Sequence, residues 1–108
     1  MPEWQSPFLR GLAVDARGAV YTAATGCRAV LKVTASGQVT AVMRAERPWS
    51  PTGIAVHGDE VYALEYQNPH SARREEWLPR VRKLLKSGEV TTLVTLPSAQ
   101  ERPLTPRR

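Results

Sequence analysis

Glu65 is the residue of this sequence whose type and position are best suited to chemistry. It follows the apolar run VYAL, where a strand would lead into a long polar stretch. A carboxylate at such a strand end could reach a metal ion or a substrate hydroxyl. It could equally form an ion pair with a nearby base such as Arg80 or Arg82, and the sequence leaves both interpretations open.

The stretch YQNPHSARREEWLPR at 66–80 holds most of the other side chains that could bind a ligand. Arg73 and Arg74 suit a carboxylate or a phosphate, although two glutamates follow them and would neutralise the pair. The alternative is a solvated loop in which Trp77 packs over the edge of a sheet. The full set of candidate ligand-binding residues is Glu65, Tyr66, Arg73, Arg74, Trp77, Arg80 and, from the linker 44–52, Trp49.

Other reactive side chains have no visible partners in the sequence. Cys27 is the only cysteine, and no histidine stands where it would activate the thiol. His57 reads as a turn residue, and His70 has no second ligand at zinc spacing. The sequence therefore predicts no catalytic residue among these three.

An internal repeat supplies the elements that would position the candidate residues. GLAVDARGAVY at 11–21 returns as GIAVHGDEVY at 53–62, and AVLKVTASGQVTAVM at 29–43 returns as RVRKLLKSGEVTTLV at 80–94. A self-similarity with a period of roughly 40 residues indicates a solenoid or a propeller. Each copy reads as four short strands with a hairpin turn at a Ser-Gly pair. The predicted fold class is all-β, with two four-stranded antiparallel propeller blades.

The repeat also divides the chain. The predicted parts are a lead-in at 1–10, blade one at 11–43, a linker at 44–52, blade two at 53–95 with its insertion at 66–80, and a basic tail at 96–108. Because the chain of an antiparallel meander reverses at each turn, the linker and the insertion should lie at the same end of the blades. Loops on a rigid scaffold often carry function, so we expect ligand binding at that end.

These motifs resemble NHL repeats and the blades of gluconolactonase-like six-bladed propellers. The resemblance rests on P-x-G-[IL]-A-V, on [VA]-V-Y after a Gly/Asp turn, and on the S-G-x-V-T segment of both copies. The second copy is similar to the last blade of bacterial propellers of this kind. The resemblance implies a scaffold or a module that binds a small molecule or a protein. The alternative is part of a lactonase-like or hydrolase-like enzyme whose remaining ligands lie on blades outside this sequence.

The resemblance also implies a role for Glu65. In gluconolactonase-like propellers an acidic residue at this strand end helps to hold a divalent cation such as Ca²⁺, which makes Glu65 a candidate metal ligand. The first copy has Ala24 at the matching position, and Thr52 stands where the family has Asn. A single carboxylate does not hold such a cation, which needs several oxygen ligands.

Two blades would leave apolar sheet faces open, so the expected partners are further blades. These would come from the same longer chain or from copies of this one, and three copies would close a six-bladed ring. A folded monomer is therefore not expected.

The 15 basic and 10 acidic residues give a net charge of +5. Because the basic residues are spread along the chain, nucleic-acid binding is not expected. The sequence has no apolar run of about 18 residues that would predict a membrane span. Its opening, MPEWQSPFLR, does not read as a signal peptide, and the compartment stays undetermined.

Overall fold

The structure is a computed structural model, and it describes residues 8–67 and 78–96. These residues form two four-stranded antiparallel sheets, each with its strands in chain order. The first sheet consists of β1 (Leu9–Val14), β2 (Val20–Ala24), β3 (Ala29–Val33) and β4 (Val39–Arg44). The second sheet consists of β5 (Trp49–His57), β6 (Glu60–Gln67), β7 (Leu78–Leu84) and β8 (Val90–Thr95). The prediction of an all-β chain with two propeller-like blades is confirmed.

The two sheets share their local irregularities as well as their strand order. The Ser-Gly turns leave Gly37 at φ 92° and Gly88 at φ 96°, a conformation that side chains with a Cβ atom rarely adopt. The β3–β4 ladder skips Val42, and the β7–β8 ladder skips Leu93 at the equivalent position. Each repeat therefore specifies its own hairpin and its own bulge.

Strand pairing places a tyrosine row on one face of each sheet. In the first sheet the pairing aligns Ala13, Tyr21, Lys32 and Thr40. In the second sheet it aligns Ala55, Tyr62, Lys83 and Thr91, which are the same four residue types.

The opposite face of each sheet carries a valine row, because successive strand residues point to opposite faces. In the first sheet this row is Val14, Val20, Val33 and Val39. In the second sheet it is Val56, Val61, Leu84 and Val90.

The core of the molecule lies where the two sheets meet. Tyr21 from the tyrosine row of the first sheet packs with Val61, Val56 and Leu84 from the valine row of the second sheet. Next to them, Val30 and Met43 of the first sheet pack against Ala63 of the second sheet, and these three side chains are at most 2% exposed. The tyrosine face of the first sheet is thus covered by the valine face of the second.

Candidate functional site

Glu65 is buried at the centre of an ion triad. Its carboxylate is 1% exposed and lies on β6, directly opposite Arg80 of β7. Arg80 Nε donates to Glu65 Oε1 at 2.7 Å. Arg82, two residues further along β7 and on the same face, donates through Nε and Nη2 to Glu65 Oε2 at 3.1 and 3.0 Å. Of the two interpretations that the sequence leaves open for Glu65, the structure shows the ion pair, and both arginines take part.

The two arginines of the triad also contact groups outside the triad. The Arg80 guanidinium stacks over the Trp49 ring with its central carbon 4.0 Å from the ring centroid. Arg82 Nη2 donates to the backbone carbonyl of Arg44 in the first sheet at 2.7 Å. The triad therefore fixes the Trp49 ring on one side and connects the two sheets on the other.

A second group of contacts joins the sheets at the same end of the molecule. We call this end the linker end and define it by the 3₁₀ helix Thr25–Cys27, the connection 45–48 and the first residues of β5. Arg28 Nη1 donates to the Trp49 carbonyl at 2.8 Å and to Ser50 Oγ at 3.1 Å. Thr25 Oγ1 donates to the Pro51 carbonyl at 2.6 Å. The β2–β3 connection and the linker thus share one end. The predicted position of the insertion at this end stays a prediction, because residues 68–77 lie outside the described residues.

Two cations lie close together at the linker end. Partial burial lowers the pKa of the Arg28 guanidinium from its usual value, and the positive charge of Arg47 lowers it further. Arg47 is exposed on the connection between the sheets. Within residues 8–67 and 78–96, neither arginine forms an ion pair with a carboxylate. This end therefore carries positive charge that the described carboxylates do not pair.

The structure brings together three of the predicted site residues and places a fourth, Tyr66, within a strand. Trp49, Glu65 and Arg80 form one contiguous group. Tyr66 lies on β6, opposite Ser50 and Pro79, within the strand and not in a loop. Arg73, Arg74 and Trp77 lie outside the described residues, so their predicted roles stay predictions.

The geometry of Glu65 does not fit the cation that the family resemblance implies. Both carboxylate oxygens already accept hydrogen bonds from arginines, so a cation would have to displace two guanidiniums. In the described part of the chain, no group of three or more His, Cys, Asp or Glu side chains could hold a metal ion. Ca²⁺ needs six to eight oxygen ligands, and this centre offers one carboxylate.

A cleft at the opposite end was missed by the sequence analysis. It has a volume of about 230 Å³ and lies between the sheets, with Asp15, Tyr21 and Lys32 on one side and Val61, Leu84 and Lys86 on the other. Asp15 accepts hydrogen bonds from the Ala19 amide at 3.0 Å and from the Tyr21 hydroxyl at 3.0 Å. The acceptors of Asp15 are thus used within the first sheet. No sequence motif signals this cleft, because it arises only where one turn of the first sheet meets two turns of the second.

Arg28 is the residue of the linker end whose role the sequence analysis did not predict. It adopts a left-handed conformation with φ 57°, where the 3₁₀ helix ends. Its partners lie 21 and 22 residues further along the chain. Neither the conformation nor the pairing has a local signature in the sequence.

Comparison with known protein families finds no match for this chain, and neither does comparison with curated proteins. Within the described ranges, no helix has the length and apolar character needed to cross a bilayer. The case for a function therefore depends on the geometry of the linker end.

Proposed function

We propose that the chain is a propeller-type scaffold, of the NHL kind, that binds an anionic group of its ligand at the linker end. The observation that carries this proposal is the pair Arg28 and Arg47, whose charges no described carboxylate pairs. Guanidinium groups present planar pairs of N–H donors that match the oxygens of a carboxylate or a phosphate. The ligand is a small molecule or a protein segment that carries such a group.

The rigidity of the linker end supports the same proposal. Arg28 is held by the Trp49 carbonyl and Ser50 Oγ, and the Trp49 ring is held by Arg80. Arg80 is in turn held by the buried carboxylate of Glu65. Donors that are fixed before binding lose little conformational entropy when a ligand arrives, which favours affinity.

The geometry of Glu65 favours a binding module over the metal-dependent enzyme. Because both of its oxygens are engaged by Arg80 and Arg82, it serves as a structural anchor for these two arginines. Titration with millimolar Ca²⁺, followed by calorimetry, is expected to release no binding heat. Saturable heat that disappears in the Glu65→Gln variant would instead favour the lactonase-like alternative.

Inorganic phosphate and acetate are suitable probes for the proposed site. At constant ionic strength, titration of the ¹⁵N-labelled chain should shift the amide signals of Trp49 and Ser50 in a saturable manner. The double variant Arg28→Gln, Arg47→Gln should weaken the apparent affinity by about tenfold, which corresponds to the loss of one charge-assisted hydrogen bond.

The matched control is the double variant Arg17→Gln, Lys86→Gln, because both cations are exposed at the opposite end of the molecule. It removes two positive charges, as the test variant does, and should leave the phosphate titration unchanged. The proposal fails if the control weakens binding as much as the test variant, since the effect would then depend on net charge alone. Comparing phosphate with acetate shows which of the two anion chemistries the end prefers.

A further inference from the structure

The contact between the two sheets uses one face of each and leaves the other two faces without a partner among the described residues. The first sheet contributes its tyrosine row, and the second sheet contributes its valine row. The unused faces are the valine row of the first sheet and the tyrosine row of the second. The two sheets have nearly the same residue types in their rows. The two unused faces therefore form the same combination, a valine row and a tyrosine row, as the two faces that pack within the chain.

The exposed apolar side chains lie on these unused faces. On the first sheet, Val14 and Val39 are 61% and 62% exposed, whereas their equivalents in the second sheet, Val56 and Val90, pack against the core. On the second sheet, Leu93 is 50% exposed, whereas its equivalent Val42 packs against the core. Exposed apolar surface of this extent marks an interaction site.

The lysines of the tyrosine rows do not obstruct packing. In the packed face, Lys32 Nζ lies 5.9 Å from the centroid of the Tyr21 ring. In the unused face, Lys83 Nζ lies 5.6 Å from the centroid of the Tyr62 ring and 3.2 Å from Glu60 Oε1. Each lysine lies along its tyrosine with the ammonium group directed to a partner, which leaves the apolar stem available for contact.

We propose that copies of this chain associate head to tail. The valine row of the first sheet of one copy packs on the tyrosine row of the second sheet of the next copy, in the geometry of the contact within each chain. A second copy is the partner that fits each unused face, because it carries the other unused face. The residue types that would meet are those that already pack between the two sheets of one chain. Such a contact joins two different surfaces, so its repetition gives a ring when the rotation closes and an open filament when it does not. The proposed assembly is the ring, in which three copies supply six blades.

The first test is the mass of the particle in solution. Sedimentation or light scattering should give a multiple of the 12.0 kDa chain mass, and three copies is the number that six blades would require. A folded monomer at micromolar and higher concentrations would overturn the proposal.

Two single variants then test the direction of the contact. Val14→Asp places a charge on the valine row of the first sheet, and Leu93→Asp places one on the outer face of the second sheet. Each variant alone should be a monomer, because each has lost one of the two surfaces. Mixed in equal amounts, they should form a dimer of twice the chain mass and grow no further, because each variant retains the surface that the other needs.

The matched control is Gln38→Asp, which adds the same charge at an exposed turn residue of the same hairpin as Val39 and should leave the assembly unchanged. A mixture that stays monomeric contradicts the proposal. So does a chain whose assembly is abolished by Val14→Asp but not by Leu93→Asp, since that result indicates a symmetric contact between two valine rows. Circular dichroism verifies the β signal of each variant, and Val39→Asp with Val94→Asp provides a second pair.

Phosphate titration of the monomeric variants reports separately on the linker end, because the substituted residues lie on the sheet faces. Loss of assembly with intact phosphate binding, or the reverse, therefore distinguishes failure of one proposal from failure of the other.

Discussion

The carboxylate of Glu65 illustrates how burial and pairing act together on one side chain. Moving a carboxylate out of water costs several kcal/mol, and the cost is recovered only when charged donors occupy both oxygens. Here two guanidiniums do so, and they are themselves only 17% and 15% exposed. Removal of either partner leaves a charge that neither water nor protein solvates well.

Replacing Glu65 with alanine is expected to destabilise the fold by about 3 kcal/mol, because it leaves two half-buried guanidiniums without a carboxylate. Glu65→Gln keeps one hydrogen-bond acceptor and the side-chain volume, so it should cost less than Glu65→Ala. Urea denaturation monitored by circular dichroism measures both. A midpoint unchanged by Glu65→Ala would show that the triad contributes nothing to stability.

Two variants of Arg28 separate the contribution of its backbone conformation to stability from that of its side-chain hydrogen bonds. A residue with a Cβ atom at φ 57° is strained, whereas glycine is not. Arg28→Gly and Arg28→Ala both remove the hydrogen bonds to Trp49 and Ser50, but only the glycine variant relieves the strain. We therefore expect Arg28→Gly to be more stable than Arg28→Ala by about 1 kcal/mol. Equal stabilities in urea would contradict this.

At the scale of the element, the turn between β1 and β2 depends on Asp15. Its carboxylate accepts hydrogen bonds from the amides of Arg17 and Ala19 and from the hydroxyl of Tyr21. Desolvation raises the pKa of Asp15, but these hydrogen bonds and the charge of Lys32 outweigh it, so its pKa lies below the ordinary value of 3.8. The folded state therefore favours the ionised form of Asp15.

A pKa that is depressed by folding sets the sign of the pH dependence. The stabilisation from Asp15 is fully present above the unfolded pKa and is lost as the pH falls through the lower, folded pKa. We expect Asp15→Asn to cost about 1 kcal/mol at pH 7, and the difference from wild type to shrink below about pH 4. Denaturant titrations across this range measure it, with the exposed Asp59→Asn as control. A difference that stays constant down to pH 2 would exclude ionisation as its origin.

The strands and their order could be predicted from the sequence, because both copies of the repeat have matching turns and strand-like runs. It did not find that β5 begins at Trp49, since Pro48 and Pro51 read as linker residues. Pro51 is tolerated because β5 is an edge strand and its pairing is irregular between Pro51 and Gly53. Glu65 and its arginines were predictable, because adjacent strands with a period of two bring them to one face. Arg28 was not, because its partners belong to the other sheet.

At the scale of the whole molecule, Val20 and Val61 occupy equivalent positions with different surroundings. Val61 is 3% exposed in the core between the sheets, whereas Val20 lies in the valine row of the unused face. Val61→Ala should cost about 2 kcal/mol at any protein concentration, because its cavity lies within one chain.

Val20→Ala should cost little in dilute solution and more as the protein concentration rises, because its packing depends on a second copy. Thermal denaturation over a hundredfold range of concentration compares the two variants. A cost for Val20→Ala that is independent of concentration would place its contacts within the single chain.

The ion triad has a further consequence during synthesis on the ribosome. Every strand of the first sheet pairs with its neighbour in the sequence, so that sheet needs nothing beyond Arg44 to form its ladders. Its tyrosine face stays uncovered until β5 and β6 emerge, and a further 15 residues separate Glu65 from Arg80 and 17 separate it from Arg82. At about 5–20 residues per second this interval lasts on the order of one second. A nascent chain that ends between β6 and β7 therefore presents a hydrated carboxylate beside an apolar face that still lacks Leu84, and the emergence of the arginines allows that carboxylate to be buried.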